Sequence, residues 1–276
     1  LTKHADRLTL DFSESSPQAP AVVNITAGTL RAYVMATLMA MLCWDIPWTP
    51  VAVWRSVEIR SRKGTVTDAN WPAGVATGNM AAGAAVRSLV SVLVSRLLAG
   101  PPEHGWRARA SCMSCYGGTT LSGLNERGER FATMLLDSVA GGAGALQGSD
   151  GIGTCGMINA PGARIPNVET NELLYPMLYL YRRQEPDSGG AGRYLGGQGE
   201  EHAFTPYRLR GSMSMSFFAH GVEQPGAIGQ EGGFPGAPNR CTVVRSMVPA
   251  EALHDGRLPS SLDLAAARGE VLASKE

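Results

Sequence analysis

The sequence has few charged residues and no excess of either sign. Its 276 residues include 24 Lys and Arg against 24 Asp and Glu, so the formal net charge is zero, and only 17% of residues are charged. Such a balance offers no basic surface to nucleic acid or to an anionic membrane, and neither is expected as a partner. Because proteins near zero net charge tend to associate, we expect part of the surface to be buried in an oligomer.

Long charge-free apolar runs are also missing. The most apolar stretches, 24–43 and 77–98, are interrupted by Arg31 in the first and by Arg87 and Arg96 in the second. A helix that crosses a membrane needs about 20 predominantly apolar residues with few charges. We therefore interpret both stretches as buried core helices.

Cysteine is too sparse for a disulfide framework. The chain has five cysteines, an odd number, whereas small secreted scaffolds pair theirs. We expect reduced thiols and a cytoplasmic location. Cys112 and Cys115 form a CxxC, which can be redox-active or half of a zinc site, but no second CxxC or CxxH lies near it. The alternative is that they are structural thiols on opposite faces of a strand.

The histidines lack the spacing of metal ligands. There are five of them, with no HxH or HxxxH pattern: His4, His104, His202, His220 and His254. A metal site needs several converging ligands. We expect no metal site formed by this chain alone, although one histidine could complete a site shared with another segment.

Helical periodicity is concentrated in the first half. Apolar residues recur at helical spacing at Leu30, Val34, Leu38 and Met41. Asn24 or Thr26 can cap this helix. A second helix is predicted from about 79 to 98, and strands are predicted at 8–12 and 51–60.

From Trp106 onward, short apolar pieces alternate with glycine-rich turns. Strands are predicted near 109–116, 131–138, 173–182 and 212–219, and a short exposed helix near 262–275. The sequence thus predicts an α+β fold, with a helix-containing first half followed by a β-rich, glycine-loop-rich second half. We divide it into an α/β segment with two buried helices, 1–105, and a β-rich segment with glycine loops, 106–276.

The densest glycine cluster is 186–199, PDSGGAGRYLGGQG. Glycine permits close backbone approach, and loop amides of this kind can cradle phosphate or carboxylate. The spacing is not that of a P-loop, and no helix clearly follows. The alternative is a structural loop that positions Arg193, with Glu200 and Glu201 either solvated or paired with that arginine.

Four segments in this order resemble the hydantoinase B/oxoprolinase family, which includes subunits of hydantoinases, 5-oxoprolinase and biotin-independent ketone carboxylases. The matching segments are LTLDFSESSPQ (8–18), DIP with ATGN (45–47 and 76–79), the block 175–199, and GGFPGAP (232–238). Family members are longer, and their N-terminal part carries a His- and Asp-containing metal motif that is missing here. The resemblance therefore implies that this chain is the C-terminal part of such a subunit.

The resemblance also implies a function and partners. The stretch 153–172 lacks the histidines of hydantoinase-like members, and PNVE at 166–169 looks more like the carboxylases. The first hypothesis is an ATP-dependent, biotin-independent ketone carboxylase. One alternative is ATP-dependent hydrolysis of a cyclic amide, and another is a non-catalytic scaffold subunit.

The implied partners are an A-type ATP-binding subunit, the N-terminal half of the B-type subunit and a small-molecule substrate. ATP and a divalent metal would be bound outside this chain.

Four polar residues are the candidates for catalysis. Asp11 lies at a predicted strand end, Asn79 opens a predicted helix, and Asn159 and Glu169 lie in the loop-rich second half. Strand ends and helix N-termini are places where ligands tend to bind. Each of the four could instead be a cap or turn residue.

Overall fold

The computed structural model describes residues 1–113, 117–158 and 165–245, together with the backbone of 270–275. Four α-helices lie in these ranges: α1 (Ala27–Leu42), α2 (Pro50–Arg55), α3 (Ala82–Ala99) and α4 (Val168–Leu174). The strands of the first half are β1 (Thr2–Lys3), β2 (Leu8–Asp11) and β3 (Val57–Arg60). Those of the second half are β4 (Gly118–Leu124), β5 (Arg130–Leu135), β6 (Met177–Gln184), β7 (Glu200–Pro206), β8 (Ser214–Phe218), β9 (Cys241–Arg245) and β10 (Glu270–Lys275).

The two predicted core helices are confirmed. The side chain of Thr26 accepts a hydrogen bond from the Thr29 amide and caps α1, which decides between the two candidate caps. The apolar stripe of α1 is buried against α3 and the small sheet, in one cluster that includes Leu30, Val34, Leu38, Val86, Val90 and Val94. Helix α3 is long and apolar enough to cross a membrane, but 56% of it is buried in the fold. We interpret it as a core helix.

The predicted strand at 51–60 is wrong over its first half. Pro50 occupies the first turn of α2, and the side chain of Thr49 accepts a hydrogen bond from the Ala52 amide. This proline and cap outweigh the β-branched residues that suggested a strand. Only β3 is extended, and it pairs in parallel with β2, so that Leu10 lies opposite Ile59.

The second half is built from small antiparallel sheets. Strand β4 lies between β5 and β8, while β6 pairs with β7 and β9 with β10. The predicted strands near 131–138, 173–182 and 212–219 correspond to β5, β6 and β8, although the second range also includes the end of α4. Residues 109–113 form no strand, and 270–275 form a strand where a helix was expected.

Helices and strands cover similar shares of the described residues, 22% and 24%, and the helical core lies in the first half. The α+β class is therefore confirmed. Cys112 and Ile158 from the second segment are buried in the helical core, so the two segments share packing. The boundary at 105/106 stays a prediction.

Candidate functional site

A wide cleft in the second half is the main candidate for a functional site. Its volume is about 1440 Å³. Three glycine-rich segments, 140–147, 185–199 and 226–238, line it together with β7. Concave clefts that combine apolar walls with a few polar groups are the usual place for ligands.

The glycines of these segments are required by backbone contact. A Cβ on Gly142 would overlap the carbonyl group of Gly197, and one on Gly190 would overlap that of Phe234. The Gly197 amide donates to the Ala143 carbonyl over 2.9 Å. These amides and carbonyls hold the segments to one another, which supports the structural interpretation of the glycine cluster.

One face of the β6–β7 hairpin places two carboxyl groups at the cleft. Glu201 accepts hydrogen bonds from Arg183 Nε over 2.8 Å and from the Tyr181 hydroxyl over 2.9 Å. Arg183 Nη2 also lies 2.9 Å from Glu185 and 2.8 Å from Glu201. The two carboxyl groups, which we call the Glu185–Glu201 pair, therefore share one guanidinium.

The pKa values of Glu185 and Glu201 are shifted in opposite directions. Burial, followed by the hydrogen bond to Glu201 and its charge, raises the pKa of Glu185. Burial also acts to raise the pKa of Glu201, but the hydrogen bonds from Glu185, Arg183 and Tyr181 outweigh it and lower that pKa. Two like-charged groups at one site resist ionising together. Glu185 is thus the group that holds a proton more readily.

The other face of the hairpin carries a buried network. Asp137 is fully buried, and it accepts hydrogen bonds over 2.8 Å from both Arg182 and the Tyr179 hydroxyl. Asn171 of α4 donates to the same hydroxyl over 2.8 Å. Burial and the neighbouring Asp137 raise the pKa of Tyr179, which stays protonated. This network joins α4 to the hairpin and orients β6.

His202 extends this face into the cleft. Its Nδ1 lies 3.1 Å from Glu200 Oε2, and its ring stacks on Phe204. Burial acts to lower the pKa of His202, but the hydrogen bond to Glu200 and the carboxylate charge raise it overall. The second carboxylate oxygen of Glu200 is buried and has no hydrogen-bond partner among the described residues.

Of the four residues proposed for catalysis, three are described, and all three are exposed outside the cleft lining. Asp11 accepts hydrogen bonds from the amide and hydroxyl of Ser13, and these bonds lower its pKa. The backbone carbonyl of Asn79 accepts a hydrogen bond from the Tyr33 hydroxyl. Glu169 lies in the first turn of α4. Asn159 lies outside the described residues. The catalytic role of the four stays a prediction.

The described residues offer no metal centre. Nowhere in the described ranges do three or more His, Cys, Asp or Glu side chains come together as ligands. Cys112 is buried, and burial raises the pKa of its thiol, whereas Cys115 lies outside the described residues. The expected binding of ATP and metal elsewhere in a complex stays a prediction.

The sequence did not reveal the Glu185–Glu201 pair, because the register of β6 against β7 cannot be read across the long loop that joins them. Arg182 and Arg183 of β6 lie opposite His202 and Glu201 of β7. The signal was present as adjacent basic and acidic dipeptides on either side of the glycine block. The sequence left Glu201 either solvated or paired with Arg193, and the structure pairs it with Arg183 instead.

The fold of the chain matches part of a larger chain in a solved structure. The structure of the ATP-dependent acetone carboxylase superimposes with a TM-score of 0.84 over 97% of this chain and 36% of the other, at 21% identity. A family model described as hydantoinase B/oxoprolinase matches residues 1–275. The chain belongs to the hydantoinase B/oxoprolinase family.

Two curated relatives differ in the reaction that their names describe. The caprolactamase subunit beta of Pseudomonas jessenii is 30% identical over 218 residues, which are 78% of this chain and 36% of the relative. The structure of that ATP-dependent caprolactamase superimposes with a TM-score of 0.61 at 27% identity, over 74% of this chain and 34% of the other. The acetophenone carboxylase delta subunit of Aromatoleum aromaticum is 25% identical over 211 residues, 76% of this chain and 30% of the relative. This chain spans about a third of the length of these relatives.

Proposed function

We propose that this chain is part of the B-type subunit of an ATP-dependent, biotin-independent ketone carboxylase complex. Membership in the family and similarity to the acetophenone carboxylase delta subunit support the proposal. The observation on the molecule that supports a catalytic role in such a complex is the Glu185–Glu201 pair at the cleft. In the complex, an A-type partner would bind ATP, and the divalent metal would be held outside the residues described here.

The proposed reaction needs a proton carrier beside the substrate. The carbon next to a ketone must lose a proton before it can form a bond to the carbon of an activated carboxyl group. Glu185 suits this role better than Glu201, because its pKa is raised, whereas hydrogen bonds hold Glu201 ionised. Arg183 keeps the two carboxyl groups in place and balances their charge.

Hydrolysis of a cyclic amide is the second candidate, because the caprolactamase subunit beta is 30% identical to this chain. Opening a lactam leaves an amine that must gain a proton as the carbon–nitrogen bond breaks. Protonated Glu185 could supply it. The same residue thus serves both reactions in opposite directions, and the pair does not distinguish them.

Dependence on bicarbonate separates the two reactions. The complex would be purified from its own cell, its composition determined by native mass spectrometry, and its turnover measured with ATP and either simple ketones or lactams. Turnover of a ketone that needs bicarbonate supports the carboxylase. Opening of a lactam without bicarbonate replaces it with the hydrolase, and no turnover of either class contradicts both.

Substitution at the cleft tests the proton carrier itself. In the assembled complex, we expect Glu185→Gln to lower turnover about 10²- to 10⁴-fold, as loss of general acid–base catalysis does. One limb of the pH–rate profile should also disappear. Glu231→Gln is the matched control, because Glu231 is an exposed glutamate in the same lining. Equal turnover of the two variants would exclude the role of Glu185.

A scaffold role remains the non-catalytic alternative. It predicts that Glu185→Gln and substitutions at Asp11, Asn79 or Glu169 leave turnover intact, while changes at an interface abolish assembly. Native mass spectrometry of each variant separates assembly from turnover. A large loss of turnover in a fully assembled complex would rule the scaffold out. The cytoplasmic location expected from the thiols stays a prediction.

A further inference from the structure

Three exposed tryptophans lie within the segment 44–54, and a fourth, Trp106, packs against the first of them. The tryptophan stripe consists of Trp44, Trp48, Trp54 and Trp106, whose exposed fractions are 59%, 44%, 38% and 55%. Ile46 and Val51, exposed by 53% and 67%, continue it. Apolar patches of this kind mark interaction sites rather than ordinary solvated surface.

Two of the rings, Trp44 and Trp106, are held against each other and against an arginine. The rings of Trp44 and Trp106 meet edge to face, with centroids 6.0 Å apart and planes at 87°. The Arg107 guanidinium lies 5.4 Å and 5.8 Å from these two centroids. Asp45 pairs with that guanidinium over 3.0 Å. The two rings are therefore fixed in place, yet more than half of each residue remains exposed.

Trp54 also lies against an arginine. The guanidinium of Arg31, on α1, lies 5.5 Å from the ring centroid of Trp54, on α2. Aromatic residues and arginine are the residue types that dominate binding energy at protein interfaces. Rings that are already ordered lose little conformational entropy when a partner covers them. The stripe thus has the composition and the rigidity of a preformed interface.

We propose that the tryptophan stripe is covered by the part of the B-type subunit that this chain does not span. The chain covers only 36% and 30% of the two relatives. About two thirds of each relative therefore has no counterpart in this chain and is available to pack against it. Interfaces that never come apart are more apolar than those between separable subunits. Asp45 is the single charged residue in 44–54, and it is already paired. This composition fits the same subunit better than a separable ATP-binding partner.

Photo-crosslinking in the native complex identifies the occupant. Trp48 would be replaced by p-benzoylphenylalanine, and the crosslinked peptides would be identified by mass spectrometry. We expect peptides from the rest of the B-type subunit. Crosslinks to the A-type subunit or to a second copy of this chain would overturn the proposal, and so would the absence of crosslinks. The same photo-reactive residue at Trp71, which is 95% exposed and outside the stripe, is the matched control.

Loss of the Trp44 and Trp106 rings should weaken assembly. We expect the double substitution Trp44→Ser and Trp106→Ser to lower the assembled fraction about tenfold or more in native mass spectrometry. Trp71→Ser should leave assembly unchanged. Val51→Asp offers a second variant, because Val51 is the most exposed of these residues and its loss costs the core little. Normal assembly of both stripe variants, with circular dichroism confirming their fold, would overturn the proposal.

This inference rests on membership in the family and not on the reaction proposed above. Its readouts are crosslinks and assembly, which do not depend on turnover. Crosslinks can show that the tryptophan stripe is covered in a complex without carboxylase activity. They can equally show that it is uncovered in an active complex. The two proposals can therefore fail separately.

Discussion

The helical core of the first half and the glycine-lined cleft of the second are held together by different interactions. In the first, α1 and α3 bury apolar side chains such as Leu38 and Val90 in one cluster. In the second, glycine backbones pack directly on one another, and polar networks on the β6–β7 hairpin link the strands. Side-chain burial tolerates small changes of volume, whereas backbone contact does not. The comparison predicts that substitutions of similar size have unequal effects in the two regions.

The largest effect is expected at Gly142. An alanine there would press its Cβ into the Gly197 carbonyl group, with backbone on both sides of the contact. Since neither side can rotate away, we expect Gly142→Ala to prevent formation of the cleft. Near-ultraviolet circular dichroism and limited proteolysis of the purified chain would measure this.

Gly28→Ala is the matched control for that prediction. Gly28 lies in the first turn of α1, and an added Cβ meets only the Thr26 hydroxyl at 3.7 Å. Alanine favours helix over glycine by about 1 kcal/mol, so this variant should be as stable as the parent or more so. If Gly142→Ala behaves like the control, the backbone packing of the cleft is not essential.

The next largest effect is expected at Asp137. Removing this fully buried carboxylate leaves the Tyr179 hydroxyl without its acceptor and leaves Arg182 with the Pro166 carbonyl but no counter-charge from Asp137. Breaking a buried ion pair on one side costs about 3–5 kcal/mol. We expect Asp137→Ala to lower the free energy of unfolding by that amount in urea denaturation. A loss no greater than that of Tyr179→Phe, which removes two hydrogen bonds at about 1 kcal/mol each, would show that the ion pair contributes little.

A smaller loss is expected in the helical core. Leu38 is 1% exposed, and Leu38→Ala should lower the free energy of unfolding by about 3 kcal/mol. Because Cys112 and Ile158 extend from the second segment into this core, we expect one unfolding transition for both halves. Urea titrations followed by tryptophan fluorescence and by far-ultraviolet circular dichroism should coincide. Two separate transitions would show that the regions fold independently.

The smallest effect is expected in the pH dependence of stability, when His202 is replaced. Its pKa is raised above the ordinary 6.5 by the Glu200 carboxylate, so the folded state binds its proton more tightly than the unfolded state. The resulting stabilisation is complete below pH 6.5 and is lost as the pH rises through the raised pKa. His202→Gln should remove this part of the pH dependence of thermal unfolding. The exposed His104→Gln should leave it unchanged, and an unchanged profile in both would contradict the assignment.

Local patterns predicted the first half better than the second. The stripe of Leu30, Val34 and Leu38 and the Thr26 cap depend on residues close in sequence, so both α1 and its start were predictable. The error at 51–60 arose because β-branched residues were weighed above Pro50 and Thr49, which begin a helix. The cleft residues were not predicted, because a long glycine loop separates Arg183 from Glu201 and sequence spacing does not fix the register of such a hairpin.

The sequence by itself determined the family, the α+β class and the two buried helices. These follow from motif order and from the period of apolar residues, which are properties of neighbouring positions. Only the tertiary structure decided which charges meet: it paired Glu201 with Arg183, buried Asp137 beneath Tyr179, and placed Trp44 against Trp106. The energy of such contacts depends on distance and burial in three dimensions, and neither can be read from the spacing of residues along the chain.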